Sequence, residues 1–151
     1  IAVTFASPTR GIVTGNPAYE QIWRTGAWIG SKVTRVPLTK DYRHDVKAML
    51  AADPNAGIYY IVSPNNPTGT MTPIEDIVWL AENKPKDAIL VVDEAYIHFA
   101  DAPNAAFLAK TRDDVLVMRT FSKLFGMAGM RLGLTMANPK LYEKMMRYDG
   151  M

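Results

Sequence analysis

The chain has 151 residues, enough for one domain with a substantial core. Hydrophobic residues at 48% and charged residues at 21% give the balance of an ordinary globular protein, which argues against a disordered or membrane-spanning chain. A net charge of +2 is too small to argue for nucleic acid or an anionic membrane, and the absence of cysteine excludes disulfides, thiol catalysis and thiolate metal sites.

Ile1 to Ala6 reads as the last turns of a helix that begins upstream. Asp149-Gly150-Met151 follows a helical pattern directly, so residues 1–151 are expected to be a partial domain of a longer polypeptide. No signal peptide or transmembrane-length apolar run is visible, and the cytoplasm is the default expectation.

Gly11 to Gly15 is a short apolar run, a predicted strand. Asn16-Pro17-Ala18-Tyr19 breaks it and opens a helix to about Ile29, with Ile22, Trp23, Ala27 and Ile29 as its apolar side. Lys32 to Leu38 alternates and suits a strand nearer the sheet edge. Arg43 to Ala52 reads as a helix with Val46, Met49 and Leu50 on one face, ended by Asp53-Pro54. Ile58 to Val62 is a continuous β-branched and aromatic run, a strand covered on both faces.

A rigid loop follows, Ser63-Pro64-Asn65-Asn66-Pro67-Thr68-Gly69-Thr70. Thr72, Pro73 and Glu75 have the spacing of a capping box for a helix to about Asn83. Ala88 to Val92 is a buried strand ending in Asp93-Glu94-Ala95-Tyr96. A short helix is predicted near Asn104 to Lys110. Val115 to Met118 and Leu132 to Met136 are two more strands. Between them lies Arg119-Thr120-Phe121-Ser122-Lys123-Leu124-Phe125-Gly126, with Arg131 five residues on. Asn138-Pro139 caps a last helix to about Arg147.

Strands alternating with helices at this spacing predict an α/β fold: a mostly parallel sheet flanked by helices. Such a sheet gathers the loops at the carboxyl ends of its strands, where ligands bind. Asn66, Asp93 and Lys123 each follow a strand and are expected to converge there. Alone, Lys123 reads as a solvated loop lysine. Placed just past a buried strand it can be partly dehydrated, and the neutral amine is nucleophilic. Two hydroxyls and a guanidinium beside it suit a phosphate. That combination is what an aldehyde cofactor with a phosphate handle needs.

Ser63-Pro64-Asn65-Asn66-Pro67-Thr68-Gly69, Asp93-Glu94-Ala95-Tyr96, and Thr120-Phe121-Ser122-Lys123 with Arg131 together resemble the class I/II pyridoxal-phosphate aminotransferases of fold type I, closest to the histidinol-phosphate aminotransferase group. The resemblance implies the central part of that family's large domain. It implies that Lys123 holds pyridoxal 5′-phosphate as an internal aldimine and later moves the proton between the substrate Cα and the cofactor C4′. Asp93 resembles the aspartate that pairs with the pyridine nitrogen, otherwise a helix cap or surface ion-pair partner. Tyr96 and Asn66 resemble the pair that hydrogen-bonds the phenolic oxygen, otherwise a core tyrosine and a turn former. Thr120, Ser122 and Arg131 resemble phosphate ligands. Tyr19 resembles the aromatic residue stacked on the cofactor, otherwise a packed residue at a helix start.

Glu94 is expected to point away from Asp93 and stay structural. His44 and His98 read as surface or boundary residues, and Met127, Met130, Met145 and Met146 as packing residues. The implied partners are an amino donor and a keto-acid acceptor, and the implied assembly is a homodimer; no metal, nucleic acid or membrane is implied. Arg147-Tyr148-Asp149-Gly150 departs from the proline-rich stretch usual in the histidinol-phosphate group. A decarboxylase on the same scaffold, or an aminotransferase-like sensor domain of a transcription regulator, shares these cofactor residues.

Overall fold

A computed structural model describes residues 1–148. Six strands form one sheet in the order β2-β1-β3-β4-β5-β6. They are β1 (Ile12–Asn16), β2 (Val33–Pro37), β3 (Ile58–Val62), β4 (Ile89–Asp93), β5 (Val115–Thr120) and β6 (Gly133–Ala137). The first five run parallel, and β6 pairs antiparallel with β5. Four α-helices connect the strands, α2 (Gln21–Trp28), α3 (Val46–Ala52), α4 (Ile74–Asn83) and α5 (Ala106–Thr111), while α1 (Ala2–Phe5) precedes β1 and α6 (Pro139–Met146) follows β6.

The strand side chains alternate between two cores because a strand has a period of two. Val13, Tyr59, Ile61, Leu90, Val92, Val115 and Val117 face α3, α4 and α5, meeting Met49, Leu80 and Leu108. Ile12, Ile58, Tyr60, Val62, Val91 and Leu116 face the other way, towards α1, α2 and α6. The central strands β3 and β4 are buried at every residue, which explains why their sequences show no polar alternation.

Several local expectations are corrected. The buried side of α2 is Ile22 and Gly26, while Ala27 is exposed. A Cβ on Gly26 would lie 2.5 Å from Ile12 Cδ1, so the glycine lets the helix sit against the sheet. Helix α3 starts at Val46, three residues late, because the Asp45 carboxylate accepts from Ala48 N–H and caps it. The Thr72 capping box is absent: α4 begins after Pro73 without a side-chain cap. Thr72 Oγ1 instead accepts from His44 N–H at 3.2 Å. Met127, Met130 and Met146 are exposed, not packed, whereas Met145 packs against the second core. The departure at Arg147 to Gly150 reaches beyond the described residues. Among the described residues no helix is long and apolar enough to cross a membrane, and no group of three His, Cys, Asp or Glu could hold a metal ion.

Candidate active site

Strand order reverses between β1 and β3: β2 lies to one side of this pair and β4 to β6 to the other. In open α/β sheets such a reversal opens a crevice at the carboxyl ends. A cavity of about 240 Å³ lies at that end, lined by Tyr19, Asn66, Asp93, Tyr96, Thr120 and Lys123, with Val62, Ala95, Met118 and Arg119 between them. Four separate strand ends contribute: Tyr19 follows β1, Asn66 follows β3, Asp93 ends β4, and Thr120 ends β5.

Asp93 is the buried carboxylate at this site, 7% exposed. Its Oδ2 accepts from Tyr60 Oη at 2.6 Å and its Oδ1 from Ala95 N–H at 3.0 Å. Burial pushes its pKa up; the Tyr60 and Ala95 hydrogen bonds and the Lys123 charge pull it partly back. The site therefore holds a carboxylate short of positive charge, with one face towards the cavity. Tyr60 sits in the middle of a fully buried strand, and its own pKa is raised by burial and by Asp93. Sequence reading missed Tyr60. The signal was there: a tyrosine in the centre of a doubly covered strand needs a partner for its hydroxyl.

Lys123 is exposed, so the expected dehydration is not seen in this chain. Its Nζ lies over the Tyr96 ring, 5.1 Å from the centroid. Tyr19 lines the cavity and is 43% exposed. Ser122 and Arg131 do not line the cavity. Ser122 N–H donates to Thr120 Oγ1 at 3.1 Å. Arg131 adopts φ 51°, and its guanidinium donates to Ala128 O at 3.0 Å. Glu94 is 2% exposed and turned from the cavity; its Oε1 accepts from Ala105 N–H and its Oε2 from Arg119 Nε at 2.9 Å. His98 is exposed, edge-on to Phe125. His44 is not a surface or boundary residue: it is 1% exposed.

A single amine, a buried carboxylate and hydroxyl donors around one small cavity form a set suited to a flat heteroaromatic group with a basic nitrogen. The amino-acid sequence agrees with that chemistry: residues 1–150 match the family of aminotransferases class I and II. The chain belongs to the class I and II aminotransferases. It is 36% identical over 135 residues to the histidinol-phosphate aminotransferase of Natronomonas pharaonis, covering 88% of this chain and 38% of that protein. It is 38% identical over 140 residues to the enzyme of the same name from Oleidesulfovibrio alaskensis, covering 90% of this chain and 37% of that one. The chain thus spans well under half the length of these relatives.

The fold agrees. A crystal structure of histidinol-phosphate aminotransferase from Sinorhizobium meliloti, in complex with pyridoxal-5′-phosphate, superposes with a TM-score of 0.90 at 31% identity, covering 99% of this chain and 41% of that one. L-threonine-O-3-phosphate decarboxylase from Porphyromonas gingivalis shares the fold at a TM-score of 0.77 and 20% identity, covering 95% of this chain and 42% of that chain. The aminotransferase chain is therefore a six-stranded piece of the fold type I architecture, as its motifs imply.

Proposed function

We propose that the protein containing this chain is a pyridoxal-phosphate-dependent aminotransferase, taking an amino-acid-like phosphate ester of the histidinol phosphate kind as amino donor and a keto acid as acceptor. The observation that carries this reading is the convergence of the Asp93 carboxylate and the Lys123 amine on one cavity at the strand-order reversal. The names of the relatives at 36% and 38% identity favour that donor.

When bound, the cofactor supplies a protonated ring that accepts the electron pair released as a substrate bond at Cα breaks. In this reading Asp93 keeps the proton on the pyridine nitrogen. The need is mutual, since a buried carboxylate without a cation is unfavourable. Tyr60 and the Ala95 N–H hold Asp93 in one orientation by bonding both of its oxygens. Lys123 is the attachment point, and its freed amine moves a proton at the substrate Cα. Asn66 and Tyr96 donate to the phenolic oxygen, and Tyr19 covers one ring face. Thr120, Ser122 and Arg131 bind the phosphate; for Arg131 that role requires its guanidinium to leave Ala128 O. We assign the homodimer to the full-length protein on the same resemblance.

Borohydride reduction of the full-length protein with pyridoxal phosphate, then peptide mapping, tests the assignment. The label is expected on Lys123, and a label on another lysine overturns it. Product analysis separates the reaction classes, because both use the same cofactor contacts: keto product from the amino donor supports transamination, and carbon dioxide without keto product rejects it.

A further inference from the structure

Where β1 and β3 part, one imidazole fills the gap. Parallel pairing between these strands runs from Ile12↔Ile58 to Thr14↔Tyr60 and stops there. His44, in the loop before α3, accepts the Val62 N–H on Nε2 at 3.2 Å. It stands in for the backbone carbonyl that β1 no longer offers. A Cβ on Gly15 would lie 2.6 Å from His44 Nδ1, so glycine at that position leaves the ring its place.

A neutral imidazole that accepts on Nε2 carries its proton on Nδ1. Burial keeps this imidazole neutral, pushing its pKa down to about 4. The Nδ1 proton needs an acceptor. His44 Nδ1 and Asn65 Oδ1 are both buried and both lack a hydrogen-bond partner, and Asn65 is near enough to act on the imidazole, so a small shift of either pairs them. The other end of Asn65 is already committed: Nδ2 donates to Pro17 O at 3.0 Å and Thr68 Oγ1 at 2.8 Å. The His44 backbone N–H donates to Thr72 Oγ1, and Thr72 N–H donates to Ser63 Oγ at 3.1 Å. Contacts from one residue therefore reach both ends of the 63–72 loop and, through Pro17, the turn that carries Tyr19.

We propose that His44 is a positioning residue of the cofactor site, which orients Asn65 and thereby sets Asn66 and the Pro17–Tyr19 turn against the cavity. The proposal rests on the cofactor reading above. It is distinct from that reading, because His44 does not line the cavity and reaches its lining through Val62 and, by way of Asn65, through the neighbouring Asn66.

The test compares His44→Leu with His44→Gln in the full-length protein, since glutamine can still accept one hydrogen bond and donate another. In the apoprotein, amide exchange across residues 65–70 is expected to rise about tenfold in His44→Leu, the effect of leaving buried groups unpaired. Amides of β4 should not change, and His44→Gln should restore most of the protection. With cofactor, His44→Leu is expected to weaken pyridoxal phosphate binding about tenfold and to displace the pH midpoint of the visible absorption band. His44→Gln is expected to recover both. Unchanged exchange at 65–70, an unmoved midpoint, or a glutamine variant no better than leucine overturns the proposal. Wild-type protein that takes no borohydride label at Lys123 instead overturns the aminotransferase reading and the cofactor role with it. The apoprotein exchange pattern separates that failure from a failure of the His44 coupling.

Discussion

Asp93 shows how one buried carboxylate can work against the stability of its own fold. Its pKa is raised chiefly by burial, so its charged form is less favourable folded than unfolded. A carboxylate shifted upward withdraws stability as pH rises through its folded pKa and withdraws none below the ordinary aspartate range. Asp93→Asn keeps an acceptor for Ala95 N–H and, as Tyr60 Oη can both donate and accept, a partner for the hydroxyl. The apoprotein carrying Asp93→Asn is therefore expected to melt a few degrees higher than wild type at pH 8, with the difference vanishing by about pH 3, below the ordinary aspartate pKa. Paired melting curves at the two pH values check this. Equal melting at pH 8 would mean that burial does not penalise the charge. Asp93 and its neighbours were legible in the sequence because each motif ends a strand and strand ends converge in a parallel sheet. Tyr60 and His44 were not, since both bond across segments that are remote in sequence.

At the scale of elements, the apolar runs read well and the helix starts read unevenly: Asn138 caps α6 as expected, its Oδ1 accepting from Lys140 N–H, whereas the caps of α3 and α4 differ. Strands β3 and β4 carry uninterrupted Ile, Leu, Val and Tyr, and burial on both faces is the physical reason. Helix starts depend on one side chain meeting one N–H, and spacing alone does not say which residue does it. Thr72 has the right spacing for a cap yet bonds His44 N–H, a tertiary partner that outcompetes the local one. The cap on α3 is Asp45, a residue that the helix read from Arg43 on the apolar face of Val46, Met49 and Leu50 places inside it. Only seven residues long, α3 cannot persist without tertiary packing and its cap. Asp45→Ala is expected to lower the unfolding free energy by about 1 kcal/mol, and Asp45→Asn by less, as asparagine also caps. Denaturant titration of the full-length apoprotein checks both. An alanine variant as stable as wild type would assign the start of α3 to packing by Val46 and Met49 alone.

At the scale of the whole molecule, the reversal of strand order is what turns scattered motifs into a site. The crevice it opens borders the gap where the pairing of β1 with β3 stops, and the buried His44 ring closes that gap by accepting the Val62 N–H. That closure makes global stability sensitive to acid. A histidine held at about 4 when folded and near 6.5 when unfolded binds its proton more readily in the unfolded chain. Its contribution is complete above pH 6.5 and is withdrawn as pH falls towards 4, amounting to about 3 kcal/mol over that window. Asp93 works in the opposite direction in the acid range, and the paired carboxylate of Asp114 enters only lower down. Burial alone would raise Asp114, but hydrogen bonds from Arg112 and Lys84 hold it below the ordinary value, so its contribution is lost as pH falls through that depressed range. Asp93 is common to wild type and a His44 variant, so between pH 6.5 and 4.5 the difference between their slopes reports the His44 imidazole. Denaturant unfolding of the apoprotein across that interval is expected to show wild type losing most of this ~3 kcal/mol relative to His44→Gln, which has no proton to gain. Equal slopes in the two proteins would show that the ring takes up its proton as readily in the fold as in the unfolded chain, so that the splay between β1 and β3 does not depend on a neutral imidazole.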